Sequence, residues 1–144
     1  MEKPTTLAGW ARVWWAGARP RTLSAAWAPV LVGTAAGAAG AINFYRAGLA
    51  LVVALALQVG VNYANDYSDG VRGTDDARTG PLRITASGLA RPAAVRSAAT
   101  LAFLVAMIAG LALALLVTPW LLLVGVFALA SAVLYTGGPA PYGY

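Results

Sequence analysis

Acidic side chains are concentrated in one short segment of this chain. Four of the five, Asp66, Asp69, Asp75 and Asp76, follow a long run without charge. Like charges this close resist joint ionisation unless a cation or a guanidinium neutralises them. The chain has no cysteine and no histidine, so a metal here would have only oxygen ligands, which favour Mg²⁺. We therefore expect a magnesium site at these aspartates.

Arginines alternate with the acidic residues. Arg72, Arg78 and Arg83 lie in or just after the acidic segment. Guanidinium groups bind phosphate oxygens in bidentate fashion, and Mg²⁺ is commonly completed by substrate phosphates. Acids and arginines together predict a diphosphate held through magnesium. The alternative is a solvated loop beside the membrane in which Asp and Arg simply compensate one another.

A polar stripe on a predicted helix argues against that alternative. Asn62, Asn65, Asp66 and Asp69 stand at i, i+3, i+4 and i+7, so they share one helical face. In an otherwise apolar helix, such a face must point into a helix bundle or a wet cavity. We expect these residues to form the functional face of the second membrane span.

The segment from residue 70 to residue 92 is predicted to be a functional loop. It is rich in Gly, Thr, Ser, Arg and Asp, and it is too long for a simple helix connection. Gly70 and Gly73 are expected to let the chain turn sharply, so that Asp75 or Asp76 returns to the stripe.

Composition indicates the environment and the fold class. Hydrophobic residues make up 60% of the chain and charged residues 10%, against about 25% charged in soluble proteins. We expect an all-α polytopic membrane protein, because a spanning helix needs about 20 apolar residues. Four spans are predicted, at residues 22–42, 47–69, 93–117 and 120–135. A helix at residues 6–18, with Trp10, Trp14 and Trp15, is expected to lie in the headgroup zone.

The distribution of positive charge predicts the orientation. Nine of the ten basic residues lie before residue 22 or between residues 72 and 96, and only Arg46 falls in the first intervening loop. By the positive-inside rule, the N-terminus and the acidic loop are cytoplasmic. Because the basic residues flank membrane spans, the net charge of +5 does not indicate nucleic-acid binding. The expected partner is the lipid bilayer.

Two other functional classes fit parts of the pattern. A divalent-cation channel or carrier subunit could use the same Asn and Asp stripe, and Gly33 and Gly37 form a G-x-x-x-G pair suited to helix packing or oligomerisation. Divalent-cation uptake without any diphosphate would favour that class. A non-catalytic assembly protein would tolerate Asn substitutions in the stripe.

The sequence Asn65-Asp66-x-x-Asp69 resembles the first aspartate-rich motif, N-D-x-x-D-x-x-x-D, of the UbiA-type intramembrane prenyltransferases. Residues 18–23, 73–75, 78–83, 135–139 and 141–144 further resemble the branch of that family that prenylates 1,4-dihydroxy-2-naphthoate in menaquinone biosynthesis. These stretches extend over nearly the whole chain. The resemblance implies a bundle of about nine helices in the bacterial cytoplasmic membrane.

The resemblance also implies roles for particular residues. An allylic prenyl diphosphate would ionise, the naphthoate ring would attack the carbocation, and the acceptor carboxylate would leave as CO₂. A related enzyme with another aromatic acceptor is the alternative. The implied magnesium and catalytic residues are Asn65, Asp66 and Asp69, with Asp75 and Asp76 as further metal ligands; the implied diphosphate contacts are Asn62, Arg72, Arg78 and Arg83; and the implied naphthoate contacts are Arg19, Arg21, Tyr67 and Tyr135.

Three departures from the family pattern stand out. Gly73 occupies the position of the third motif aspartate, and Ala140 stands where the branch usually has arginine. The family also has a second aspartate-rich motif, whereas no acidic residue follows Asp76. We therefore expect this chain to be the N-terminal half of such an enzyme, inactive until the C-terminal half is supplied.

Overall fold

This computed structural model describes residues 3–38, 40–73, 81–138 and 140–143, in which helices joined by turns form the regular structure. There is no strand in those ranges. The predicted all-α class is therefore confirmed. The five α-helices are α1 (Leu7–Gly17), α2 (Ser24–Ala36), α3 (Phe44–Arg72), α4 (Pro92–Leu116) and α5 (Trp120–Thr136), and a short 3-10 helix at Pro20–Thr22 lies between α1 and α2.

Helix α1 matches the predicted interfacial helix closely. The Thr6 hydroxyl accepts a hydrogen bond from the Gly9 amide at 3.1 Å, which caps the N-terminus of the helix. Val13 is buried, whereas Leu7 and Trp15 are exposed. Because α1 packs one face on the protein and leaves large apolar side chains on the other, it suits a position at a membrane surface.

Helix α2 is shorter than the first predicted span. Its 13 residues correspond to about 20 Å, less than the roughly 30 Å of a hydrocarbon core. The helix ends at Ala36 and is capped by Gly37. Nothing among the described residues lies within 4 Å of the position that a Cβ at Gly33 would take. In this part of the chain, the G-x-x-x-G pair therefore makes no close helix contact.

Helices α3 and α4 are each long and apolar enough to cross a membrane, and α5 is apolar but has only 17 residues. The most apolar windows of α3 and α4 are 6% and 22% buried, so their hydrophobic surfaces face the surroundings rather than a protein core. An apolar surface that is this exposed favours a lipid environment. The helices form a membrane bundle, and among the described residues two of them are long enough to span, against the four spans predicted.

The bundle is organised around α3. This helix packs most extensively on α4 and also contacts α1, α2 and α5. The α3–α4 contact is close at Gly60, where an added Cβ would lie 2.6 Å from Cε1 of Phe103. Gly60 is needed at this crossing because any side chain would displace the Phe103 ring.

The hydrophobic core lies at one end of the bundle. It joins α1, the C-terminal part of α3, the segment before α4 and the first turns of α4. The eight buried residues of this core are Val13, Ala18, Tyr63, Ile84, Leu89, Ala90, Val95 and Ala99. The polar stripe of α3 is on the same end, so the core positions the candidate site.

Candidate functional site

Residues 83–90, here called the Arg83 turn, form a compact structure rather than an open loop. The amides of Ser87 and Ala90 donate to the carbonyls of Arg83 and Ile84 at 3.0 and 2.9 Å. Gly88 has φ +70°, a conformation that favours glycine. Ile84 and Leu89 are buried in the core. The described part of the predicted 70–92 loop is thus folded onto the protein.

Asp66 binds the Arg83 turn through its carboxylate. The backbone amides of Ile84 and Thr85 donate to Oδ2 and Oδ1 of Asp66, each at 2.9 Å. The residue is 0% exposed. Both carboxylate oxygens therefore accept a charge-assisted hydrogen bond in a buried position.

Asp69 forms an ion pair with the first residue of the same turn. Nη2 of Arg83 lies 2.9 Å from Oδ2 of Asp69, and the side chains are 14% and 10% exposed. A guanidinium therefore neutralises this carboxylate, which is one of the two solutions that the acidic cluster predicts. The pair is shielded from water, so its charges interact more strongly than they would on an open surface.

Gly70 is placed differently from its prediction. It lies inside α3, where an added Cβ would be 2.5 Å from Cγ2 of Thr85, so it permits close packing of the Arg83 turn and makes no bend. Gly73 does make the predicted turn: it caps α3 with φ +71°. A left-handed residue at this position favours glycine, which gives a physical reason for the missing motif aspartate.

Asn62 connects α3 to the segment after α1. Its Nδ2 group donates to the carbonyl of Ala18 at 2.8 Å and to the hydroxyl of Thr22 at 2.9 Å. The neighbouring Tyr63 hydroxyl donates to the carbonyl of Trp14 at 2.8 Å. Both N–H groups of the Asn62 amide are therefore used within the protein, and neither is left to donate to the diphosphate that the resemblance implies.

The opposite side of the stripe binds the end of α5. The Thr136 hydroxyl donates to Oδ1 of Asn65 at 2.9 Å, and the Ser68 hydroxyl donates to the Thr136 carbonyl. Nη2 of Arg72 donates to the carbonyl of Gly138 at 3.2 Å. Ser68 and Thr136 were not among the predicted site residues. Their signal was available, because each is a polar residue within an apolar helix at the same predicted membrane side.

Arg19 is the residue of the site with the least ordinary geometry. It has φ +54°, in the left-handed region that few residues other than glycine adopt. Its Nε and Nη2 atoms are buried and have no hydrogen-bond partner among the described residues. Arg21, by contrast, is exposed. A buried guanidinium nitrogen without a partner is costly, so Arg19 is the better placed of the two to bind an anion.

The two tyrosines predicted to contact the aromatic substrate have different ring partners. Tyr67 packs against the core, with the guanidinium carbon of Arg96 6.0 Å from its ring centroid. Tyr135 makes an edge-to-face contact with Tyr142, with 5.4 Å between the ring centroids. Both rings thus have partners within the protein.

Three predicted site residues, Asp75, Asp76 and Arg78, lie outside the described residues. Within the described ranges, no three Asp, Glu, His or Cys side chains are grouped so that they could hold a metal. Of the acidic residues that the structure describes in the cluster, Asp66 binds two amides and Asp69 binds Arg83. These residues by themselves do not fit a magnesium site.

Apolar space lies along the middle of α3. A cavity of about 460 Å³ lies between α3, α4 and α5. Its lining residues are all apolar and include Leu57, Leu104 and Leu129. A smaller one of about 260 Å³ lies between α2, α3 and α5, with Gln58 in its wall. Such walls suit hydrocarbon rather than a polar ligand.

Comparison with known proteins identifies the family. Residues 26–144 match the UbiA prenyltransferase family. The chain belongs to this family. The UbiA match includes α3, the Arg83 turn and the end of α5, which together form the candidate site. No solved structure matches the chain significantly.

Individual relatives are more specific. The chain is 57% identical over 132 residues to the 1,4-dihydroxy-2-naphthoate octaprenyltransferases of Mycobacterium leprae (strain TN) and Mycobacterium tuberculosis (strain ATCC 25618 / H37Rv). It is 36% identical over 141 residues to the protein of that name from Escherichia coli (strain K12). These matches cover 91 to 92% of the chain but 45 to 46% of each relative. The chain therefore spans less than half the length of the curated relatives it matches.

Proposed function

We propose that this chain is the N-terminal part of a membrane enzyme that transfers a polyprenyl group from a prenyl diphosphate to 1,4-dihydroxy-2-naphthoate. The observation that carries the proposal is the 57% identity to two octaprenyltransferases of that name over 91% of the chain. In the proposed reaction, the allylic C–O bond breaks with diphosphate as the leaving group. The naphthoate ring forms the new C–C bond, CO₂ is lost, and the product is a demethylmenaquinol.

The diphosphate is proposed to lie beside Arg83. This side chain is held by Asp69 at 2.9 Å in a shielded position, so a fixed positive charge is available where the leaving group gains negative charge. Arg72 and Arg78 are proposed to add further positive charge. The apolar space that α3, α4 and α5 line around Leu57 supports a path for the prenyl tail within the bundle.

Magnesium remains a proposal that depends mainly on residues outside the described part. The ligands would be Asp69 with Asp75 and Asp76, and further ligands are expected in the length of the relatives that this chain does not cover. When bound, Mg²⁺ would neutralise charge on the diphosphate. The chemistry of this donor set, hard oxygen atoms alone, agrees with that ion.

Arg19 is proposed to bind the carboxylate of the naphthoate. Its buried Nε and Nη2 atoms have no hydrogen-bond partner among the described residues, which supports an anionic ligand. In the full-length enzyme, Arg19→Gln should raise the KM for naphthoate at least tenfold and leave the KM for the prenyl diphosphate nearly unchanged. Arg21→Gln is the matched control, since Arg21 is exposed. Equal effects of the two substitutions would contradict this assignment.

The end of α3 that carries the polar stripe is proposed to face the cytoplasm. Cysteines introduced at Ala86 and Asn43, both exposed, can be labelled from either side of sealed membranes. Ala86→Cys should react only with reagent on the cytoplasmic side and Asn43→Cys only with reagent outside. Reaction of both from one side would overturn the orientation.

Full-length protein in membranes, with prenyl diphosphate and Mg²⁺, tests the function directly. It should prenylate 1,4-dihydroxy-2-naphthoate with release of CO₂, and 4-hydroxybenzoate in its place should give little product. Asp69→Asn should lower the rate by about 10²- to 10³-fold, as expected for loss of a charge that supports the transition state. Preference for 4-hydroxybenzoate would support the alternative acceptor class, and divalent-cation uptake without transfer would support a channel or carrier.

A further inference from the structure

We infer that Asp66 is a positioning residue and not a metal ligand: it fixes the Arg83 turn on α3 so that Arg83 reaches Asp69. The inference rests on the proposed function only where it assigns Arg83 to diphosphate binding. The placement of the turn by Asp66 stands on the contacts alone.

Each carboxylate oxygen of Asp66 accepts a hydrogen bond from a backbone amide. The amides of Ile84 and Thr85 each lie 2.9 Å from one of its two oxygens, and the residue is 0% exposed. Magnesium needs close octahedral coordination and normally keeps several waters. A completely buried carboxylate that already accepts two amide hydrogen bonds offers no room for such an ion and its waters.

The amides that Asp66 binds belong to the residues directly after Arg83. Asp66 and Asp69 are three residues apart on α3, so they lie on one face about one helical turn apart. One aspartate therefore holds the backbone of the turn, and the other holds the side chain at its start. Because Ile84 is adjacent to Arg83 in the chain, movement of the Ile84 backbone would carry the guanidinium away from Asp69.

Close apolar contacts hold the same turn independently of any carboxylate. Thr85 lies against Gly70, where an added Cβ would be 2.5 Å from Cγ2 and 2.7 Å from Cβ of Thr85. Ile84 lies against Gly17, where an added Cβ would be 2.9 Å from Cδ1 of Ile84. A methyl group at residue 70 would thus displace the turn while every aspartate remains in place.

Hydrogen exchange tests the positioning without any reaction. In the full-length protein in lipid nanodiscs, without Mg²⁺ or substrates, the Ile84 and Thr85 amides should exchange slowly. Asp66→Asn retains one acceptor but places an NH₂ group opposite an amide donor, so exchange of these two amides should become about ten- to a hundredfold faster. Asp69→Asn is the control and should leave both rates within about threefold of wild type. Unchanged exchange in Asp66→Asn would overturn the inference.

Gly70→Ala provides the second variant. If Asp66 acts through position, Gly70→Ala should reproduce the loss of prenyl transfer in Asp66→Asn, and both should keep the wild-type Mg²⁺ concentration for half-maximal rate. Gly125→Ala is the control, because nothing described lies within 4 Å of its added Cβ. A large increase in the required Mg²⁺ for Asp66→Asn alone would identify Asp66 as a metal ligand and overturn the inference. Altered exchange in a protein that prenylates no naphthoate would instead contradict only the proposed function.

Discussion

The C-terminal third of α3 and the remainder of the same helix differ sharply in what surrounds them. From Asn62 to Arg72, here called the polar end, side chains bind the segment after α1, the Arg83 turn and the end of α5. From Phe44 to Leu57, here called the apolar part, α3 faces cavities and lipid-exposed surface. One helix thus combines a densely bonded end with a largely open one.

A polar stripe in a membrane helix can hold other segments of the protein as well as bind a ligand. Its residues could all have pointed into a ligand site, but most of them hold other segments of the chain in place. Asn62, Asn65 and Asp66 each have a protein partner from a different segment. The resulting framework fixes the charged pair Asp69 and Arg83 near the C-terminal end of α3, away from the apolar part.

The largest expected effect comes from breaking that charged pair without removing its charge. Arg83→Lys keeps one positive charge but loses the planar guanidinium that contacts Asp69. We expect prenyl transfer by the full-length enzyme to fall about 10²-fold or more, in line with loss of an electrostatic contact in an active site. Steady-state rates at saturating substrates measure this.

Arg91→Lys is the matched control for Arg83→Lys. Arg91 is exposed and is the N-cap residue of α4. The rate of prenyl transfer by Arg91→Lys should therefore stay within about twofold of wild type. Similar losses in the two variants would show that the polar end depends on total positive charge rather than on the particular Arg83 contact.

A smaller effect is expected where the polar end meets the apolar part. Gly60→Ala would place a methyl group 2.6 Å from the Phe103 ring between α3 and α4. Overpacking of this kind costs about 1–3 kcal/mol, partly offset by the better helix propensity of alanine. Thermal unfolding of the full-length protein in detergent should show a lower midpoint. Gly125→Ala has the same propensity gain without a described contact, and an equal midpoint for both variants would contradict the close packing.

The smallest effect is expected in the apolar part itself. Leu115 is 80% exposed on α4, so Leu115→Ala removes little packing within the described chain, and its stability should change by less than about 0.5 kcal/mol. Val95→Ala, at a fully buried position on the same helix, should cost clearly more. A large loss for Leu115→Ala would show that the rest of the full-length protein packs on this face.

The sequence predicts the helices well because their signals are local. Apolar length places α3, α4 and α5 within a few residues of the structure. The first predicted span is longer than α2 because the apolar pattern continues past Ala36, where the helix ends. Gly37, which caps α2, was a local signal for that end.

The sequence predicted which residues belong to the candidate site better than it predicted what those residues contact. The helical face shared by Asn62, Asn65, Asp66 and Asp69 followed from spacing alone. The partners did not, because the Arg83 turn folds back on Asp66 from 18 residues away. Backbone amides also carry no side-chain signature in a sequence, and for that reason Asp66 resembled a metal ligand. The magnesium assignment stays a prediction, since Asp75 and Asp76 lie outside the described residues.

The length of α3 has a consequence for where chemistry can occur relative to a bilayer. Its 29 residues correspond to about 43 Å, roughly 13 Å more than a hydrocarbon core of about 30 Å. If the N-terminal end of the helix begins at one interface, about nine residues project beyond the other, and these include Asn65, Asp66 and Asp69. Helix length therefore sets the depth of the acidic residues at the headgroups. An amphiphile could present its charged end there while its hydrocarbon tail stays in the membrane.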